Sequence, residues 1–100
     1  MEENLDKKHL NTMLYLVSHY KDNPTSLRRL INDLDALIGL LESLDEKQRN
    51  KLQTLCGHLE DTYAIMLSKN ENELNEKQKL YISAELEKIK TFITEISSSL

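Results

Sequence analysis

Apolar residues recur along this chain at spacings of three and four in separate stretches, and each stretch predicts an amphipathic helix. The fullest runs from Ser26 to Leu44, where Leu27, Leu30, Ile31, Leu34, Leu37, Ile38, Leu41 and Leu44 form one stripe. At about 100° per residue they fill an arc of roughly 140°, wider than a coiled-coil seam, so at least two other helices must cover it. Its opposite face carries Arg28, Asn32, Asp35, Gly39 and Glu42. Upstream, Leu10, Met13, Leu14, Val17 and Tyr20 share a face and predict a first helix from about Asp6 to Tyr20, behind a polar, frayed start. Met13 to Val17 also alternates like a short strand, but no other stretch offers it a partner.

Punctuation separates these stretches. Lys21-Asp22-Asn23-Pro24 is the clearest break, with Asn23 suited to N-cap and Pro24 to the first helical position. Asp45 opens DEKQ and Asn75 opens NEKQ, each with a Gln three residues on, so each reads as a capping-box variant that starts a helix. The third helix is expected over Glu46 to about Ser68, with Leu52, Leu55, Cys56, Leu59, Tyr63, Met66 and Leu67 inward. Ile65 sits off that stripe, where the N-terminal helix is expected to lean. After a polar loop the fourth helix, Glu76 to about Ser97, buries Ile82, Leu86, Ile89, Phe92, Ile93 and Ile96. The expected fold is all-α: a four-helix, up-down antiparallel bundle of three long helices plus an N-terminal helix packed across them. It forms one domain over residues 1–100.

Composition sharpens this picture in few places. Two glycines and one proline in the whole chain exclude a turn-rich sandwich or barrel. A net charge of −4 argues against direct nucleic-acid binding, which needs a basic patch, and suits a basic protein partner. The single cysteine, Cys56, cannot form an internal disulfide. The N-terminus lacks a signal-peptide pattern, and no apolar run approaches the ~20 residues of a membrane span, so a cytoplasmic protein without membrane contact is expected.

The residues suited to chemistry are scattered. His9 and His19 stand too far apart along one helix to share a metal, and His58 with Asp61 falls short of a ligand set, so His58 reads as a partly exposed surface residue. Cys56 lies on an inner stripe, where cysteine acts as a small hydrophobe. No glycine-rich phosphate loop exists, and Asp33 and Asp35 point to different helix faces. No enzyme, no metal and no cofactor is expected.

Charge placement is more informative. Leu30 to Glu46 holds five acids and no Lys or Arg, and Leu52 to Ser68 again has no Lys or Arg. A tight turn at Leu44–Asp45 would set residues whose numbers sum to about 90 opposite one another. Arg28 and Arg29 are then level with Glu60 and Asp61, and Glu42 with Gln48 and Arg49. Asp33 and Asp35 face Leu55 to Gly57, where no base is available, and Gly39 and Gly57 leave room for close approach. Asp33 and Asp35, with Glu42 and the loop acids Glu71 and Glu73, are therefore the candidates to dock a basic partner; a merely solvated helix face is the alternative. Tyr20 and Tyr63 fall on apolar stripes, whereas Tyr15 and Tyr81 lie at stripe edges and suit an interface.

The segments LINDLDALIGLLESLDEKQ and LEDTYAIML, followed by a further amphipathic helix, resemble small bacterial immunity proteins of contact-dependent and other polymorphic toxin systems. The resemblance covers about residues 26–93. It implies a protein that binds and neutralises one cognate toxin domain, often a nuclease, inside the producing cell. Asp33, Asp35, Glu60 and Tyr63 are the positions that match its motifs. A second reading is a self-associating adaptor or regulator, in which Leu40, Ile65 and Leu80 build a homodimer; monomer and homodimer both stay open.

Overall fold

The computed structural model describes residues 4–100 and is all-α, with four helices and no strand among those residues. They are α1 (Leu5–Ser18), α2 (Pro24–Leu40), α3 (Glu46–Ser68) and α4 (Glu76–Ser98). Every start is capped as a helix start requires. Asn4 accepts from the Lys7 N–H and Asn23 from the Ser26 N–H, with Pro24 in the first turn of α2. Asp45 and Asn75 each form a complete capping box with Gln48 and Gln78. The α3 end is closed differently. Asn70 is left-handed (φ 54°), the Glu71 N–H reaches Met66 O at 3.1 Å, and the Asn70 N–H reaches Leu67 O at 3.0 Å. That is a Schellman closure, and Asn tolerates its left-handed position.

The helix ends depart from the sequence expectation mainly at α2, which stops at Leu40 and not near Leu44. Leu41 is extended (ψ 128°), yet Leu41 and Leu44 are both buried. The apolar rhythm is thus kept while the helix is not, because the chain folds across the end of the core. Two contacts hold it there. The Arg49 guanidinium, from α3, donates through Nη1 to Ile38 O at 2.9 Å and through Nη2 to Leu41 O. It supplies the positive charge at a C-terminus whose last turn has no basic residue of its own. From the other side the Asp6 carboxylate accepts the Glu42 N–H at 3.0 and 3.1 Å and the Ser43 N–H at 2.5 Å.

Each helix touches two neighbours: α2 packs on α1 and α3, and α4 packs on α3 and α1. The four therefore close a ring about one core inside an envelope of 50 × 24 × 20 Å. The first helix closes that ring between α2 and α4 and lies across the core from α3, which corrects the expected lean on Ile65; that residue is exposed. Leu67, expected inward, is exposed as well. Contacts between α3 and α4 descend in one helix as they climb in the other. Lys51 Nζ lies 4.5 Å from the Phe92 ring centroid, His58 meets Glu85, and Ile65 shares a cleft with Gln78 and Tyr81. These two helices run in opposite directions. No helix is long and apolar enough to cross a membrane among the described residues.

Candidate functional site

The α2–α3 seam is where the sequence pattern concentrates unneutralised acid. On α2, Leu27, Leu30, Ile31, Leu34 and Ile38 point inward. The helical period then puts Asp35 at the edge that meets α3. On α3, Cys56 and Leu59 are buried, and Glu60, one turn beyond Cys56, emerges at the same edge. The Asp35 and Glu60 carboxyl groups are neighbours across the seam. A side-chain hydrogen bond with Asp35 raises the Glu60 pKa, with partial burial and repulsion from Asp35 and Asp61 adding to it. Beneath them Cys56 is pushed up to about 12, by burial first and then by the charges of Asp35 and Glu60. It is an inert thiol. Among the described residues no ion pair reaches Asp35, Glu60 or Asp61.

The expected pairing of Arg28 and Arg29 with Glu60 and Asp61 is not made. Summing residue numbers predicts level along the helices but not direction around them. Both arginines line a shallow recess on α2 with Thr25, Asn32 and Asp33, and Arg29 also lines the α1–α2 cleft with Tyr20 and Lys21. Asp33 belongs to that cleft too, so it does not join Asp35 in facing Leu55 to Gly57. Glu42 is not paired with Arg49, because Arg49 is committed to the α2 carbonyls, and Gln48 is committed to the Asp45 cap. Glu42 itself is exposed in the 41–45 connection, and Glu71 and Glu73 lie in the connection after α3. The length of α3, roughly 33 Å at 1.5 Å per residue, separates those two groups. Tyr63 is partly buried and packs against the core. Of the seven candidate residues, the fold thus brings only Asp35 and Glu60 together, with Asp61 beside them.

Two buried carboxylates escaped the sequence reading. Asp6 is 4% exposed; burial alone would raise its pKa, but the Glu42 and Ser43 backbone N–H groups, the Ser43 hydroxyl and the charge of His9 lower it overall. Glu85 is 3% exposed and crosses the α3–α4 seam. His58 Nδ1 donates to its Oε2 at 2.7 Å and Lys88 Nζ to its Oε1 at 2.9 Å; these partners outweigh burial and lower its pKa. His58 is thus partly exposed as expected, but its carboxylate partner is Glu85 of α4, not Asp61. A signal for both acids exists in the sequence. Asp6 stands on the stripe of Leu10, Met13 and Val17, and Glu85 on that of Ile82, Leu86 and Ile89. An acid at an apolar period position marks a buried, hydrogen-bonded carboxylate.

Among the described residues no three His, Cys, Asp or Glu side chains are grouped as metal ligands would be. Compared with known proteins, the chain matches no family model, no curated sequence and no solved structure. The Asp35–Glu60 arrangement itself suits one kind of ligand chemistry. Two close carboxylates repel, and a guanidinium or ammonium group set between them removes the repulsion and completes their hydrogen bonds.

Proposed function

We propose that this chain is a non-catalytic, cytoplasmic immunity protein that neutralises a bacterial toxin domain by receiving a basic surface of that domain on the α2–α3 seam. The observation that carries the reading is the Asp35–Glu60 pair, two neighbouring carboxyl groups with no ion-pairing cation among the described residues. A fold optimised for its own stability would place a base beside them; sites that serve a partner keep such frustration and relieve it on binding. Gly57, three residues before Glu60, and Gly39, four after Asp35, support the reading. A Cβ at either position would meet nothing within 4 Å, so packing inside the protein does not require glycine there. A helical glycine costs about 1 kcal/mol relative to alanine, and an approaching partner backbone gives it a purpose. The resemblance of residues 26–93 to toxin-immunity proteins supplies the partner class.

The test is co-expression with the product of the neighbouring upstream gene, with growth rescue and co-purification as readouts. Rescue by the wild type and its loss in the Asp35→Asn/Glu60→Gln double variant are expected. The same variant should unfold at a higher temperature in isolation, since like-charge repulsion is removed, while its partner affinity falls and depends less on salt. An affinity unchanged in the double variant would remove the seam from the footprint, and no rescue together with no complex would remove the immunity reading.

The self-association reading finds less support as first framed. Leu40, Ile65 and Leu80 are all exposed, but Leu40 closes α2 at one end of α3 while Ile65 and Leu80 lie toward the other.

A further inference from the structure

At the end of the α3–α4 seam away from the 41–45 connection, the chain carries exposed apolar side chains that the fold does not use. Ile65 is 50% and Tyr81 44% exposed, and they flank a cleft of about 410 Å³ bordered by Asp61, Thr62, Lys69 and Lys77. Next along α4 stands Leu80, at 72% the most exposed of the large hydrophobic side chains among the described residues. At about 100° per residue, Leu80 projects beside this cleft while Tyr81 lines it. One face of one molecule thus presents both an apolar projection and an apolar recess, side by side on adjacent residues of α4.

We propose that this face is a homodimer interface in which Leu80 of one copy enters the Ile65–Tyr81 cleft of a second copy, and reciprocally. Two-fold symmetry requires a patch that complements itself, so that whatever residue i meets at j is met again at the symmetric position. The apolar projection and recess satisfy that requirement, and so do the charges. Asp61 stands toward one end of the cleft, and Lys69 and Lys77, beside the α3–α4 connection, toward the other; among the described residues none of the three is in an ion pair. A two-fold axis through the cleft sets Asp61 of each copy against the lysines of the other. A partner of one charge sign would repel one end of the cleft; a second copy, turned end for end by the two-fold axis, matches both. An interface confined to the outer halves of α3 and α4 belongs to the small class, below about 1,200 Å² in total, that weak and reversible pairs bury. The face lies on the α4 side of α3, and of its residues only Asp61 adjoins the Asp35–Glu60 pair, so the Leu80 and Ile65 variants test the dimer separately from the toxin-binding reading.

Sedimentation velocity on the full chain, from about 5 to about 500 µM at neutral pH, tests it over the range expected of so small an interface. The sedimentation coefficient should rise with concentration from monomer to dimer. Leu80→Glu and Ile65→Lys should each weaken the dimer by about tenfold or more, with circular dichroism unchanged because both sites are on the surface. Asp61→Lys should weaken it as well, and adding Lys69→Glu and Lys77→Glu to that variant should restore it. A wild-type protein that stays monomeric throughout would overturn the proposal. So would a dimer that Leu80→Glu leaves intact, because its interface would lie elsewhere.

Discussion

Asp6 shows how one side chain can fix the relation of two elements that are distant in sequence. Its carboxylate takes the N–H groups of Glu42 and Ser43, which face the start of α1 once α2 has ended. Bonds of this kind, donated to an ionised acceptor away from water, contribute more than neutral ones. Removing the acceptor also leaves two part-buried donors without a partner. Asp6→Ala should therefore cost about 2–3 kcal/mol of unfolding free energy, read from urea denaturation at neutral pH. Asp6→Asn, which keeps an acceptor oxygen but not the charge, should fall between the two. A loss below about 0.5 kcal/mol for the alanine variant, the size of an ordinary surface change, would mean that the carboxylate is not what pins α1 to the loop. Glu85 is the counterpart on the other side of the bundle, where His58 and Lys88 take the place of backbone donors.

At the scale of the helices, the starts were legible and one end was not. Asn23-Pro24, Asp45 with Gln48, and Asn75 with Gln78 are local chemistry: a side-chain oxygen meets an N–H two or three residues away, so the sequence window contains both partners. The end of α2 is set from outside that window, by Arg49 from α3 and Asp6 from α1, and the apolar spacing runs on through Leu41 and Leu44 regardless. The same limit governs the site. Periodicity put Asp33 and Asp35 on different faces of α2, which holds, but which neighbour each face meets depends on where α1 closes the ring. Glycine gives a test at this scale. Gly57 lies in the interior of α3 with open space where a Cβ would point, so Gly57→Ala should raise stability by about 1 kcal/mol; Gly39→Ala should raise it less, because Gly39 sits in the last turn of α2. Chemical denaturation of the two variants checks this, and a destabilised Gly57→Ala would show that the backbone there needs its glycine.

For the whole molecule, pH dependence follows from acids shifted in opposite directions. Asp6 and Glu85 have lowered pKa values, so the folded state holds fewer protons on them than the unfolded chain does. Their stabilisation is present above the unfolded values of 3.8 and 4.5 and is lost as pH falls through the lower folded values. Glu60 is raised, so its folded form prefers the proton; that contribution is present below 4.5 and is lost as pH rises through the raised value. Going from neutral pH into acid, the protein first gains slightly as Glu60 takes up its proton and then loses steeply as Asp6 and Glu85 are forced to take theirs. Urea midpoints measured from pH 7 down to pH 3 should therefore pass through a shallow maximum before they fall. Glu60→Gln should lie above the wild type at pH 7 and converge with it toward pH 4, because the variant removes the term that only the ionised pair feels. Asp6→Asn should shallow the acid limb and leave the neutral side of the maximum in place. A Glu60→Gln difference that stays constant across the range would mean that Asp35 and Glu60 do not share a proton, and the frustration on which the α2–α3 site rests would be gone.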